Sequence, residues 1–337
     1  MPESGVSDKM DTKTKILTIL RENDTYVSGQ QLCNQLGVSR TAVWKVIDAL
    51  REQGYQIEAV QNKGYKLLSA PDVMSASEIA SRIHTKWAGQ KIVYLAETDS
   101  TNNDCRRLLQ EGSPNGTLVV ADMQKTGKGR RGRTWISPPG VSIYMTIGLR
   151  PEFEPGRASM LTLVMALAIC RTLADVTGLN TQIKWPNDIV VNGKKVCGML
   201  TEMSLVDAYI DQVVIGVGVN VNQEQFAPEI AQTATSLRIE KGEKVGRVQI
   251  IQKSMEYFEE YYEKFVTTCD MSAIMGEYND ALANMGAQVR VLDPKGEFGG
   301  IARGIDEMGQ LLVELSDGTI TAVYAGEVSV RGIYGYV

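Results

Sequence analysis

The segment from residue 127 to residue 133 constrains the fold more than any other part of this chain, because it excludes a dinucleotide-binding fold. Its sequence, GKGRRGR, contains the G-x-G-x-x-G pattern of a dinucleotide-binding turn, and that turn requires a helix to begin directly after it. The residues that follow, TWISPP, cannot open a helix. We therefore predict a flexible basic loop whose amides and guanidinium groups bind a phosphoryl or adenylyl group. The alternative is a solvated surface loop that is basic by chance.

Charge and cysteine content limit the classes of partner. The formal net charge is -5, so any contact with nucleic acid has to come from a local basic patch. The 5 cysteines have no C-x-x-C spacing and His84 is the 1 histidine, which indicates neither a zinc site nor a disulfide framework. The N-terminus has no apolar signal core, and the apolar run from Leu161 to Ile169 is too short and interrupted to span a bilayer. We expect a cytoplasmic protein with no membrane partner.

The first 70 residues have the pattern of a winged helix-turn-helix. Apolar residues repeat at helical spacing around Leu17, and Ser28 and Ser39 are placed to cap a second and a third helix on either side of Gly37. Two helices joined by a tight glycine-containing turn are typical of DNA-binding domains. Alternating apolar residues then flank Asn62-Lys63-Gly64, which predicts a hairpin with a lysine at its tip, the wing.

Several side chains of this region are candidates for DNA contacts, in the major groove from the third helix and to a phosphate from the wing. They are Ser39, Arg40, Thr41, Lys45 and Lys63. Trp44 is an unusual residue to leave exposed beside them. A helical protein-interaction module is the alternative. One such domain contacts few base pairs, so specific binding to operator DNA would need a homodimer on a two-fold site.

The rest of the chain changes pattern twice. A break at Ser69 to Asp72 is followed by a capping-box pattern from Ser75 to Glu78 and then by alternating strands and helices. We predict strands at 91–98, 117–123, 141–149, 182–191, 195–204 and 210–221, with helices from about 101 and at 157–177. Asn192-Gly193 indicates a type I′ hairpin.

Short alternating runs from Gly286 onward predict a small β-barrel. The predicted fold class is therefore α+β and multidomain. The domains are a winged helix-turn-helix at 1–70, a central mixed-sheet α/β domain at 71–284 and a C-terminal barrel at 285–337.

Five short motifs of the central domain occur in the order and spacing of the biotin protein ligases. They are TDSTNN at 98–103, the loop at 124–135, KWPND at 184–188, KVCGML at 195–200 and GVGVN at 216–220. With its winged helix, the whole chain after the first dozen residues resembles the bacterial biotin ligases that also repress the biotin operon. The resemblance implies a biotin/lipoate ligase-like catalytic domain and an SH3-like C-terminal barrel.

The resemblance implies a reaction in two steps. Biotin and MgATP give biotinyl-5′-AMP and pyrophosphate, and a lysine of the biotin carboxyl carrier protein of acetyl-CoA carboxylase then attacks the anhydride. The first step brings the biotin carboxylate close to the anionic α-phosphate. Lysine and arginine, rather than a histidine base, can neutralise and align these two groups.

The resemblance also implies roles for individual residues. The catalytic pair would be Lys195 and Arg130. The biotin-binding residues would be Ser100, Thr101, Asn102, Gln124, Lys128, Gly129, Arg130, Lys195 and Gly198. The ATP-binding residues would be Arg131, Arg133, Trp135, Lys184, Asn187, Asn220 and Arg331, with Asp188 holding Mg²⁺. Lys128 stands where the family often has arginine, and it lacks the bidentate fork. Ser100 or Thr101 as the cap of a helix is an open alternative, as is a structural role for Trp185 and Pro186.

The same resemblance implies that biotinyl-AMP acts as corepressor by favouring the homodimer, which then represses biotin biosynthesis genes. A lipoate or octanoate ligase of the same fold is a second hypothesis. A ligand-sensing transcription factor without turnover is a third.

Overall fold

The computed structural model describes residues 11–293, 296–325, 329–332 and 336. Its first unit contains three helices and a two-stranded antiparallel hairpin. These are α1 (Thr12–Glu22), α2 (Gly29–Leu36), α3 (Arg40–Glu52), β1 (Gln56–Val60) and β2 (Gly64–Ser69). The Oγ atoms of Ser28 and Ser39 accept the amides of Gln31 and Ala42 at 3.1 and 3.2 Å, so both predicted caps are confirmed. The winged helix-turn-helix is confirmed as well.

The central unit is built around a seven-stranded mixed sheet. Its strands and helices are α4 (Ala76–Ala80), β3 (Ile92–Leu95), α5 (Thr101–Gln110), β4 (Thr117–Ala121), β5 (Ile143–Leu149), α6 (Leu161–Thr177), β6 (Thr181–Lys184), β7 (Asp188–Val191), β8 (Lys194–Val206), β9 (Tyr209–Val219), α7 (Leu237–Lys241), α8 (Arg247–Thr268) and α9 (Met275–Asp280). The strand order is β3-β4-β5-β9-β8-β7-β6, in which only β3 and β4 form a parallel pair.

Helices cover both faces of this sheet. Successive residues of a strand point to opposite faces, and in β4 Leu118 joins the large core beneath α6 and α8, whereas Val119 packs with Cys105 and Leu109 of α5. The N-terminus of α5 is thereby placed against the sheet, next to the loop that follows β4.

The apolar helix needs a correction to the sequence analysis. With the 3₁₀ turn that precedes it, the helical segment covers Pro155–Thr177, which is long and apolar enough to cross a membrane. Its most apolar window is 72% buried inside the protein. Among the described residues this is the one helix that meets those criteria. Because it is mostly buried, its apolar composition is that of a core helix.

One further prediction differs from the structure. The run at 182–191 was predicted as one strand, but it forms β6 and β7, which pair antiparallel from Lys184 with Asp188 around a turn of three residues. The predicted C-terminal domain is confirmed as a small antiparallel sheet of five strands: β10 (Gln288–Leu292), β11 (Phe298–Ile305), β12 (Leu311–Glu314), β13 (Ile320–Val323) and β14 (Ser329–Gly332). Their order in the sheet is β13-β12-β11-β10-β14.

Candidate functional site

The basic loop between β4 and β5 folds back on itself as a small hairpin. The amide of Trp135 donates to the carbonyl of Gly127 at 2.8 Å, and the amide of Gly129 donates to Arg133 at 2.7 Å. A 3₁₀ turn, Arg130–Gly132, forms the tip, where Arg131 has a left-handed φ of 59°. The chain then continues into β5, so the exclusion of a dinucleotide-binding turn is confirmed. The loop was predicted to be flexible, and its backbone has a defined hydrogen-bonded form here.

Glycines make a flat surface beneath this hairpin. Gly198 of β8 and Gly218 of β9 are register partners in the sheet. A Cβ atom on Gly218 would lie 2.6 Å from Cε2 of Trp135, and one on Gly198 would lie 2.8 Å from Nζ of Lys195. Only glycine allows such an approach. The space left between this surface and the loop is about 50 Å³, because Trp135 and Lys195 fill it.

One end of the surface is lined by neutral polar groups. Oε1 of Gln124 accepts the amide and the hydroxyl of Thr101 at 2.9 and 3.1 Å. Asn102 donates from Nδ2 to Glu202 at 2.7 Å, and its Oδ1 accepts from the hydroxyl of Thr146 at 2.7 Å. Ser100 occupies the N-cap position of α5, but its side chain makes no cap hydrogen bond. The helix-cap explanation for these hydroxyls is therefore wrong for Ser100, since the Gln124 amide oxygen satisfies the first turn instead.

The opposite end is charged. Nζ of Lys195 lies 2.6 Å from Oδ1 of Asp188, and the hydroxyl of Tyr336 donates to Oδ2 of the same carboxylate. Nζ of Lys184 lies 3.7 Å from the centroid of the Tyr336 ring. Burial alone would raise the pKa of Asp188, but Lys195 and Lys184 outweigh it and hold that pKa below its usual value. The carboxylate is therefore ionised, and both ammonium groups face it.

Arg130 connects the loop to this charged end and to the C-terminal sheet. Its Nη1 donates to Oδ1 of Asn187 at 2.7 Å, and its Nη2 donates to the carbonyl of Ala325 at 2.6 Å. Burial lowers the pKa of the guanidinium and Asp188 raises it, so the group stays cationic. Lys128 is exposed, with Nζ 3.4 Å from Oδ1 of Asn103. Its neighbours Arg131 and Arg133 are exposed too.

Trp135 lies between the two ends. Its ring covers Gly218, and Nζ of Lys195 lies 5.3 Å from the ring centroid. Its buried Nε1 has no hydrogen-bond partner among the described residues, an arrangement that is rare in folded proteins. Trp135 therefore lines both halves of the site.

A second cavity of about 380 Å³ opens beyond the charged end. The segment after β9 forms one wall with residues that the sequence analysis did not identify: Gln223, Phe226, Ala227, Ile230, Thr233 and Ala234. The carbonyl of Thr233 accepts the amide of Lys195 at 2.8 Å, and Nδ2 of Asn220 donates to Thr235 at 3.0 Å. The sequence offered one signal for this wall: the segment after β9 contains apolar residues but has no strand or helix periodicity. The Tyr336 side chain offered none.

The remaining predicted site residues are placed as follows. Trp185 donates from Nε1 to the carbonyl of Gly309 at 3.1 Å, which supports the structural alternative for that residue. Arg331 lies in β14 opposite Arg290, and its side chain is outside the described residues. No group of three or more His, Cys, Asp or Glu that could hold a metal occurs in the described part of the chain. Asp188 is a single carboxylate that two lysines already neutralise, so the protein alone does not form a magnesium site there.

The candidate DNA contacts lie on the winged helix. Arg40, Thr41, Trp44 and Lys45 share one exposed face of α3, with Trp44 54% exposed. Arg40 donates from Nη2 to Gln30 of α2 at 2.9 Å, so its guanidinium is oriented by the helix-turn-helix itself. Ser39 caps α3, and Lys63 extends from the wing with Nζ 5.7 Å from the Tyr26 ring centroid.

Comparisons with known proteins match all three parts of the chain. Residues 94–220 match the Biotin/lipoate A/B protein ligase family, residues 12–66 match an HTH domain, and residues 285–331 match the Biotin protein ligase C terminal domain. The chain is 39% identical to Bifunctional ligase/repressor BirA of Bacillus subtilis over 90% of its own length and 93% of that protein. It is 29% identical to the Escherichia coli protein of the same name over 94% and 96%.

Solved structures give the same result. The structure described as biotin protein ligase from Aquifex aeolicus in complex with biotin and ATP superposes with a TM-score of 0.63 at 32% identity. It covers 72% of this chain and 98% of that one. The fold, including the small C-terminal antiparallel sheet, is therefore that of its structural neighbours.

Proposed function

The chain belongs to the biotin protein ligase family, and from that premise we propose that it is an ATP-dependent biotin protein ligase that also represses transcription. The observation that carries the proposal is the arrangement of the site. A glycine surface joins a neutral polar end, at Thr101 and Gln124, to a charged end, at Lys195 and Asp188. Biotin has the same two ends, a ureido head and a carboxylate.

The ureido head is recognised at the polar end. A ureido group has two N–H donors and one carbonyl acceptor, and Ser100, Thr101, Asn102 and Gln124 offer hydroxyl and amide partners of both kinds within one pocket. The fused rings lie on Gly198 and Gly218, where no side chain intervenes. Lys128 and Gly129 of the loop close the pocket from above. Trp135 has to move when the rings enter, because its own ring lies over Gly198 and Gly218.

The charged end performs the first step. A carboxylate oxygen of biotin attacks the α-phosphorus of ATP, the bond to the β-phosphate oxygen breaks, and pyrophosphate leaves. Lys195 and Arg130 lie where the carboxylate and the α-phosphate meet, and they neutralise the charge that builds up between them. Asp188 pairs with Nζ of Lys195 at 2.6 Å. An arriving phosphate takes over as partner of that ammonium.

ATP binds in the cavity beyond Lys195. Lys184 and Asn187 face the phosphates, Arg131 and Arg133 are the loop cations beside them, and Asn220 and Trp135 lie toward the base and ribose. Mg²⁺ binds proteins through one or two carboxylates plus substrate phosphates. Asp188 would supply one such oxygen to a magnesium ion bound with the nucleotide, and that ion would offset negative charge on the phosphates. Arg331 belongs to the same proposal through its position in β14.

The second step transfers biotin to a carrier. The neutral amine Nζ of a lysine in the biotin carboxyl carrier protein attacks the anhydride carbonyl and AMP leaves. The attacking nitrogen, which is positively charged after attack, loses one proton and becomes the amide N–H. A groove lined by Pro155, Thr162, Leu200 and Thr201 also reaches Arg130 and Asn187. We assign this groove to the carrier lysine. A Paracoccus denitrificans relative, 32% identical over 65% of this chain, is called a biotin ligase of acetyl-CoA carboxylase.

Repression requires two copies of the chain on a two-fold operator. The tip of the β8–β9 hairpin exposes Leu205, Val206 and Tyr209, the last of them 77% exposed. An apolar patch on a sheet in this position suits a homodimer. Biotinyl-AMP shifts the equilibrium if it binds the dimer more tightly than the monomer. Arg40, Thr41 and Lys45 would then contact the major groove and Lys63 a phosphate.

Domain limits at 70 and 284 and a cytoplasmic location belong to the same proposal. To test the proposal, the protein is incubated with biotin, ATP and unmodified carrier protein, and biotin on the carrier is detected by avidin blotting. Dimerisation is measured separately by sedimentation with and without biotinyl-AMP. Labelling of the carrier by lipoate or octanoate in place of biotin would support the second hypothesis instead. Tight adenylate binding with no turnover would support the third.

A further inference from the structure

Glu78 has a role that its sequence pattern did not indicate. The capping-box pattern predicts that its carboxylate turns back to the start of its own helix. One half of the box is present, because Oγ of Ser75 accepts the amide of Glu78 at 3.1 Å. The carboxylate, however, points away from that helix toward the winged-helix unit, and its side chain is 1% exposed.

Groups from both units converge on this carboxylate. Arg21 of α1 donates from Nη2 to Oε1 and Oε2 at 2.5 and 2.6 Å. The hydroxyl of Tyr55, which precedes β1, donates to Oε2 at 2.6 Å. From the ligase side, Arg82 donates from Nε to Oε1 at 3.0 Å, and Oγ of Ser81 accepts from Nε of Arg21 at 3.2 Å. The contacts that Arg21 makes with Glu78 and Ser81, and the one that Tyr55 makes with Glu78, cross between the units and fix one relative placement.

The chain between the units is held as well. Both carboxylate oxygens of Asp72 accept from Arg247, one from its amide at 3.0 Å and one from Nε at 2.9 Å. Arg247 is buried at the start of α8, and its Nη1 also donates to Asp122 at 2.9 Å. The connecting segment is therefore anchored to the ligase body between the winged helix and Glu78. It does not behave as a flexible linker of polar residues would.

The chemistry of the cluster explains why Glu78 is its essential member. Burial lowers the pKa of Arg21 and Glu78 raises it again, so the carboxylate keeps the buried guanidinium charged. Burial and then Glu78 raise the pKa of Tyr55, which keeps its hydroxyl protonated as a donor. Removing the charge of Glu78 leaves Arg21 and Arg82 close together without compensation. Removing one partner of a buried pair is far more disruptive than removing both.

We propose that Glu78 is a positioning residue that locks the winged helix onto the ligase body in one orientation. In a two-fold dimer that orientation sets the distance between the two α3 helices. Half-sites on DNA are separated by whole helical turns, so a fixed distance selects one operator spacing. The consequence for DNA rests on the proposed repressor function, whereas the lock itself does not.

The lock is tested without DNA by double electron–electron resonance. Spin labels at Gln61→Cys in the wing turn and Glu111→Cys in the body report the distance between the units, with Cys269→Ser removing the least buried native thiol. The unaltered cluster gives one narrow distance distribution. Glu78→Gln broadens it, and proteolysis between residues 69 and 75 accelerates at least about tenfold because the buried pair is broken. The matched control is Glu52→Gln, an exposed carboxylate on the same unit as Arg21.

A narrow distribution in Glu78→Gln that matches the parent would overturn the proposal. Should Glu78→Gln fail to fold, Tyr55→Phe and Arg21→Lys each remove contacts from the winged-helix side alone, and either one broadens the distribution if the lock exists. Adenylate formation by Glu78→Gln remains within about twofold of the parent, because Glu78 lines neither cavity of the site and shares no partner with its residues. Loss of operator binding with a broadened distribution supports the lock. Absence of operator binding in the parent protein contradicts the repressor function, and the distance distribution alone then decides whether the lock exists.

Discussion

Lys195 and Asp188 form an ion pair of 2.6 Å across the neighbouring strands β7 and β8. Lys195 is the second residue of β8, after the Asn192-Gly193 turn, and Asp188 begins β7 directly after the turn at 185–187. The KWPND and KVCGML motifs are thus joined by a hairpin whose first strand, β7, has only four residues. This short connection places Lys195 in the lining of both cavities of the site.

Loss of the Lys195 ammonium should abolish most of the first step. We expect Lys195→Gln to lower the rate of biotinyl-AMP formation by about 10²- to 10³-fold, the usual effect of removing one charge-stabilising donor. Pyrophosphate release in single-turnover mixtures measures that rate. Lys194→Gln alters the exposed neighbour on the same hairpin and should leave the rate nearly unchanged. Equal losses in the two variants would contradict the assignment.

Loss of the Arg130 side chain should release the adenylate. Arg130 joins the loop to Asn187 and to Ala325, so Arg130→Gly removes the contacts that close the site. We expect biotinyl-AMP to escape and to label lysines of an added bystander protein at several times the parent rate. Lys125→Gly is the control, because Lys125 is an exposed cation of the same loop that lines neither the biotin pocket nor the ATP cavity. Retention of the adenylate by Arg130→Gly would count against this role.

The glycine surface should tolerate no methyl group. A Cβ at position 218 would lie 2.6 Å from Trp135 and would occupy the surface that receives the biotin rings. We expect Gly218→Ala to raise KM for biotin by about tenfold, which is a typical effect of overpacking, and to leave KM for ATP within about twofold. Gly276→Ala is the control, since nothing lies within 4 Å of a Cβ there. An unchanged KM for biotin would mean that the rings bind elsewhere.

Acid should weaken the protein through Asp188. The pKa of this carboxyl is depressed in the folded state below its ordinary value of 3.8. A depressed pKa contributes stability above the unfolded value, and that contribution disappears as pH falls through the folded value. The difference in Tm between the parent and Asp188→Asn should therefore be largest above about pH 5 and should shrink as pH falls below 3.8. A difference in Tm that grows on acidification would contradict the sign of the shift.

Local chemistry explains which parts of the fold the sequence predicted. Ser28, Ser39 and Gly37 specify helix ends through their own hydrogen bonds and φ angle, so their positions were predictable one residue at a time. Asn192 and Gly193 both have positive φ, as the predicted turn requires. The residues that follow 127–133 excluded a dinucleotide-binding turn, and the hairpin formed by this loop confirms that exclusion. Phosphate binding by the loop stays a prediction.

Contacts between distant segments explain what the sequence did not predict. The turn that separates β6 from β7 is an exception, because Pro186 and Asn187 were local signals of a break within the 182–191 run. Glu78 fits a capping box, and only the arrival of Arg21 and Tyr55 from another unit reveals its second role. Tyr336 contacts Asp188 across 148 residues of sequence. Such long-range partners are decided by packing, which no local pattern encodes.

The central claim is that one end of the site selects the ureido head and the other end forms the adenylate. The most direct test is to incubate the purified protein with ATP and equal concentrations of biotin, lipoate and octanoate. The protein-bound adenylates are then identified by mass spectrometry. The account predicts biotinyl-AMP as the dominant product and its absence from Lys195→Gln. Dominant lipoyl-AMP or octanoyl-AMP would contradict it.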